Sequence, residues 1–191
     1  METEKVNYKN IYYPPGGILL WILILLELIT FGVALIVLAV GSKENPEAFR
    51  ESSAHLNATY GAINTIFLLT SGFFMASSLH QFKQKKLKKS SIYLNITMLG
   101  GILFLILKGI EYSEKIEYGL ILGYDTFFNF YWLLTGFHVI HVLVGIIILL
   151  FMQRSLKKET AILEDVEASA AFWHMCDLIW LLLFPVLYLV F

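Results

Sequence analysis

Three pairs of ionisable residues recur at i, i+3 inside strongly apolar stretches: Lys108 with Glu111, His138 with His141, and His174 with Asp177. Glu27 stands in a further apolar stretch, and His80 lies near the end of another. The i, i+3 spacing puts both members of a pair on one helix face, where they meet each other or a shared partner. Lys108 and Glu111 read as an ion pair that lessens the cost of burying two charges, ahead of a proton-path role. His138 and His141 invite a haem or metal reading, but a zinc or copper site needs further ligands converging from other helices. Two turns of one helix also suit a bis-histidine haem poorly, so both rings are expected to hydrogen-bond across helices. His174 and Asp177 are expected to tie their helix to its neighbours. Glu27 reads as a lone carboxylate whose charged form a low-dielectric surrounding disfavours.

What must position these groups is legible from hydropathy. Apolar runs fall at about 18–40, 60–82, 91–112, 125–151 and 169–190, each long enough to cross a hydrocarbon core of ~30 Å as a helix. Backbone polar groups cannot stay unpaired in lipid, so the expected fold is all-α, one membrane domain of five transmembrane helices. Composition agrees: the 191 residues are 58% hydrophobic and 15% charged, with mean hydropathy +0.70. A soluble domain of this size could not hide so much apolar surface. Cys176 is the single cysteine, which rules out a disulfide framework and a CxxC site. No signal peptide is visible, since the first apolar run is too long for one. Nucleotide loops, a Ser/His/Asp set and a nucleic-acid surface are all absent from the pattern.

Orientation follows from charge. With the N-terminus inside, the inner segments carry Lys5, Lys9, Lys83, Lys85, Lys86, Lys88, Lys89, Arg154, Lys157 and Lys158. The outer segments then carry only Lys43, Arg50 and Lys115, which predicts N-in, C-out. Tyr12, Tyr13, Tyr112, Tyr118 and Tyr124 sit near span ends as interfacial anchors. The run Lys83–Lys89 reads as a topology signal ahead of an anionic-lipid site. Gly61-x-x-x-Thr65 and Gly72-x-x-x-Ala76 form a small-residue stripe on the second span, and Gly100 with Gly101 opens a flat patch on the third.

Taken in order, the motifs resemble those of the cytochrome c oxidase subunit III family of haem–copper oxidases. The second span reads Asn64-Thr65-x-x-Leu68-Leu69-x-Ser71-Gly72, then Ala76 and His80. The third ends Lys108-Gly109-Ile110-Glu111-Tyr112, with lysine standing where the family usually has glutamine. The fourth carries Thr135-Gly136-Phe137-His138-Val139-Ile140-His141-Val142, and the fifth Phe172-Trp173-His174-Met175-Cys176-Asp177-Leu178-Ile179-Trp180. Glu27, within Leu25-Leu26-Glu27-Leu28, matches the family's membrane carboxylate.

The resemblance covers about residues 17–191 and implies a short five-helix form, without the first two helices of the seven-helix version. It implies a non-redox subunit packed against catalytic subunit I, with subunit II nearby, in a bacterial cytoplasmic membrane. Such a subunit supports assembly, lipid packing, oxygen access and proton uptake. Glu27 would lie by the oxygen entry. His80, Lys108, Glu111, His138, His141, Trp173, His174 and Asp177 would form a structural or lipid-contacting polar network. The chain itself is expected to bind no cofactor: haem and copper belong to the partner subunits, and structural phospholipid is the one ligand left. With five histidines, one of them (His55) in a loop, it cannot build an oxidase's metal centres.

A subunit-III-like partner of a nitric oxide reductase shares this pattern. Two rivals come from other classes. A small proton-coupled carrier would use Glu27, Lys108, Glu111 and Asp177, but neither internal repeats nor broken helices are seen. A membrane cytochrome would use His138 or His141.

Overall fold

The computed structural model describes residues 14–190, so Lys5, Lys9, Tyr12 and Tyr13 lie outside the described residues. The chain forms α1 (Ile18–Glu44), α2 (Pro46–Ser53), α3 (Ala58–Lys83), α4 (Leu87–Glu117), α5 (Thr126–Lys157) and α6 (Leu163–Tyr188). No strand occurs among the described residues. All but α2 are long and apolar enough to cross a membrane, so this is a multi-pass membrane protein. The helices outrun the apolar cores at most ends because a helix satisfies its own backbone through the polar interface as well.

Local chemistry places the ends. The Asn57 side chain accepts from Thr59 N at 3.0 Å and caps α3, while Asp125 accepts from Phe128 N at 2.6 Å and caps α5. At the lysine-rich end, Lys85 (φ 60) and Glu159 (φ 56) take the left-handed conformation that reverses the chain within a few residues. The segment 41–56, read from sequence as a polar connection, contains α2. Pro46 sits in its first turn, where a missing N–H costs nothing, and Phe49 buries its ring edge-on against Phe127 at 5.9 Å. The Asp125 carboxylate also receives the hydroxyl of Ser52, which pins α2 to the start of α5.

Helix α6 is the axis, with 56% of its apolar window buried against 17% for α1. It packs on α3, α5 and α1, and α4 closes the far side between α3 and α5. The tightest contact joins α3 and α4 through hydroxyls. Ser71 Oγ donates to Thr97 O at 2.8 Å, Thr97 Oγ1 returns a bond to Ser71 O at 3.3 Å, and Ser78 Oγ donates to Ser90 O at 2.8 Å. Small residues permit this approach. A Cβ on Gly100 would come within 2.7 Å of Ser71 Cβ, and one on Gly101 within 2.6 Å of the Trp173 ring. Helix α1 is peripheral. It docks by stacking Phe31 on Phe137 (5.5 Å), while Leu19, Leu25, Leu26 and Ile36 face outward as a lipid-exposed wall.

Filling the Gly101 position should therefore wedge α4 from α6. Gly101→Val is expected to destabilise the bundle by about 1–3 kcal/mol, as overpacking does. Gly109→Ala, with nothing within 4 Å of the added atom, should leave thermal unfolding in detergent unchanged.

Candidate functional site

Two charged groups are enclosed deep in the bundle: Lys108, 1% exposed, and, three residues on, the fully buried Glu111. Its ammonium donates to Glu111 Oε2 at 2.9 Å, to Tyr188 OH at 2.6 Å and to Tyr131 OH at 3.2 Å. Both phenols then donate to the other carboxylate oxygen, Tyr131 at 3.0 Å and Tyr188 at 2.6 Å. All three ammonium protons and both carboxylate oxygens are satisfied, which is the condition under which a buried ion pair is tolerable. The Tyr131 ring centroid lies 4.8 Å from Nζ and the Trp180 ring 5.3 Å, so the cation also rests against π faces. The expected ion pair thus forms as the centre of a cage drawn from α4, α5 and α6.

A second polar contact surrounds Trp173. Its ring fills the space left by Gly101 and Gly145, and its Nε1 donates to Ser71 Oγ at 3.0 Å, joining the hydroxyl ladder. One side chain of α6 thereby touches α3, α4 and α5. Trp180, two turns further on, donates to Thr65 Oγ1 at 2.9 Å.

The two histidines, both expected to make polar contacts across helices, divide: His141 reaches α1, and His138 makes no such contact among the described residues. Residues three apart on a helix still diverge by about 60°, and here that divergence separates two environments. His138 is buried and stacks on Trp180 at 5.4 Å with its edge to Phe104 at 5.5 Å. Neither of its ring nitrogens has a hydrogen-bond partner among the described residues, so the expected cross-helix bond is replaced by ring packing. His141 faces α1 instead. Its Nδ1 donates to Phe137 O at 2.8 Å, and its Nε2 lies 3.3 Å from Glu27 Oε1. Glu27 is therefore not a lone carboxylate. Nδ1–H is committed to a carbonyl, which leaves Nε2 as the ring atom turned to the carboxylate.

His174 and Asp177 likewise bond to each other, Nδ1 to Oδ2 at 3.4 Å, and not to a neighbouring helix. Asp177 presses on the bare Cα of Gly72, where any Cβ would collide with its carboxylate, so α6 meets α3 here by packing. Asp177 Oδ1 has no partner among the described residues. His80 lies at the exposed end of α3 and pairs with Gln84 through Nε2 at 2.8 Å. Among the described residues no three His, Cys, Asp or Glu side chains converge as a metal site.

The family model described as Cytochrome c oxidase subunit III matches residues 55–190. That span contains the cage, the Trp173 contact and both histidine pairs. The chain belongs to this family. It is similar to the cytochrome bo(3) ubiquinol oxidase subunit 3 of Buchnera aphidicola, 28% identical over 89% of this chain and 84% of the relative. It is 27% identical to the cytochrome c oxidase subunit 3 of Corynebacterium diphtheriae over 75% of this chain and 71% of the relative. With the cytochrome c oxidase subunit 3 of Rhipicephalus sanguineus the identity is 36%, over 66% of this chain and 49% of the relative.

In this member of the subunit III family, Glu27 lies before the matched region but is held by His141 from inside it. The cage residues Tyr131 and Tyr188 escaped the sequence reading. Tyr131 sits one turn before the Thr135-Gly136 motif, and Tyr188 lies 77 residues from Glu111 in sequence. Their only sequence signal is a phenol placed inside an apolar run, which reads equally well as an interfacial anchor.

Removing one charge from the cage strands the other. Glu111→Ala is expected to destabilise the bundle by about 3–5 kcal/mol, and replacing Lys108 and Glu111 together by Met to cost far less. Thermal denaturation of the two purified variants checks the order; equal losses would mean the pair is not coupled.

Proposed function

We propose that this chain is the non-redox accessory subunit of a haem–copper oxidase, seated against catalytic subunit I of a respiratory complex in a bacterial cytoplasmic membrane. Membership of the subunit III family carries the reading, and the cage supports it: the costliest charges in the bundle are spent on holding three helices together. A chain built this way lends shape and stability to a partner that performs the electron transfer. The names of its relatives favour an oxidase over a nitric oxide reductase as that partner, and family membership disfavours a free-standing carrier.

Glu27 and His141 are the groups proposed to work on the partner's behalf. They sit where α1 meets α5, largely but not wholly covered, with Nε2 and Oε1 3.3 Å apart. A pair of this kind, placed beside the oxygen or proton route of the catalytic subunit, would present polar groups to that route while keeping α1 docked. The bundle is proposed to lie with its lysine-rich end in the cytoplasm, since Lys83, Lys85, Lys86, Lys88, Lys89, Arg154, Lys157 and Lys158 all gather there.

Affinity purification through a tag on this chain should bring down the haem-bearing subunit of an oxidase; recovery of a nitric oxide reductase, or of neither, would reject the partner. In that complex Glu27→Gln should assemble normally and change turnover, its pH dependence or its durability. Unaltered behaviour at every pH would make Glu27 a packing residue. Single cysteines at the exposed positions Lys88 and Glu117 should label from opposite sides, with Lys88 protected from outside.

A further inference from the structure

Helices α3, α4, α5 and α6 pack in a ring, each on the next, and α1 leans on the outside of α5 and α6. The outward face of α4 therefore looks away from α1. Its exposed residues recur at alternating steps of four and three: Asn95, Leu99, Ile102, Ile106, Gly109 and Ser113. That is the period of a left-handed seam between two nearly parallel helices. Any outward helix face shows such spacing, so the chemistry along the stripe has to decide what covers it.

Asn95 lies six residues beyond Lys89, a rise of about 9 Å, which puts its amide inside the apolar run. The side chain is exposed and makes no hydrogen bond among the described residues. Hydroxyls on the outer helix faces meet their own backbone instead. Thr30, Ser77 and Ser113 donate to the carbonyls of Leu26, Phe73 and Gly109, each one turn back. A carboxamide brings two donors and an acceptor, and lipid tails meet none of them. Lipid esters only accept, so they would leave Oδ1 unpaired. A second carboxamide satisfies both ends.

Two copies of one chain in the same membrane run in the same direction. A two-fold axis along the membrane normal then sets each residue of the stripe against itself. Asparagine suits that symmetry, because each amide donates to the other's oxygen, whereas a charged residue would repel its copy. No charged residue occurs in the stripe. Towards the outer end, Gly109 and Ser113 are small, and a Cβ on Gly109 would meet nothing within 4 Å, so two backbones can come close there.

We propose that two copies of this chain pair in the membrane through the outward face of α4, with Asn95 bonded to Asn95 across the axis. The pairing leaves the Glu27–His141 side free for the catalytic partner and joins two complexes side by side.

The test uses assembled complexes in which two copies of this chain, carrying different affinity tags, are expressed together. After extraction in mild detergent, the first tag should recover the second. Asn95→Leu should lower that recovery about tenfold with the yield of assembled complex unchanged, and Asn95→Gln, which keeps the amide, should restore most of it. Oxidation in native membranes reads the face directly, since the native Cys176 is buried. Leu99→Cys and Ile106→Cys should each give a disulfide-linked dimer of this chain, and Ile147→Cys, exposed on α5, should not. No recovery of the second tag from wild type, equal recovery with Asn95→Leu, or dimers as abundant at Ile147→Cys would overturn the pairing. So would an adduct of Leu99→Cys with the catalytic subunit in place of the dimer. None of these readouts depends on which reductase the partner is.

Discussion

A lysine ammonium buried between three helices is the interaction on which the bundle most depends. In lipid there is no water to receive a charge, so Lys108 must find three acceptors from protein or remain unprotonated. It finds them in Glu111, Tyr131 and Tyr188, and the two phenols close the circuit on the same carboxylate. Because the donors and acceptors come from α4, α5 and α6, these helices cannot slide or rotate relative to one another without stranding a charge. Apolar contacts among lipid-like side chains would not set that register, since lipid tails compete with them on equal terms.

The other half of the bundle is aligned by a different device. Serine and threonine hydroxyls between α3 and α4 bond to backbone carbonyls, and glycine lets the two helices approach closely enough for them to do so. Trp173 links the two devices. Its indole N–H joins the hydroxyl ladder, while its ring occupies the space above Gly101 and Gly145. Helix α1 shares in neither. It is held by a phenylalanine stack and by the Glu27–His141 contact, so the least firmly packed helix is also the one bearing the group proposed to face the partner's route.

Family motifs turn out to mix two kinds of residue. Trp173, Lys108 and Glu111 hold the fold. His141, with Glu27, is left partly exposed at the margin, and His174 opens into a groove between α1 and α3. His138 belongs to the first group, as a flat ring against Trp180. Such a division suits a supporting subunit: its interior is spent on rigidity, and its adjustable polar groups lie where other molecules reach them.

Five spans, their approximate limits and the charge asymmetry between the two ends were determined by sequence alone, because crossing hydrocarbon requires about 20 consecutive apolar residues whatever the neighbours are. The Lys108–Glu111 pair was legible for the same reason, since its members lie one turn apart on one helix. Other features depended on which helix faces which, and no local period encodes that. Three residues apart, His138 and His141 look equivalent in the sequence, yet one packs against α4 and α6 and the other reaches α1. Tyr188 meets Glu111 only because α6 runs back beside α4's partner helices. The pairing of Glu27 with His141 required α1 to lie on α5, and the groove required α1 and α3 to lean separately on α6. Each is a consequence of packing between distant segments, where small residues, ring shapes and buried charges select one arrangement from many with the same hydropathy.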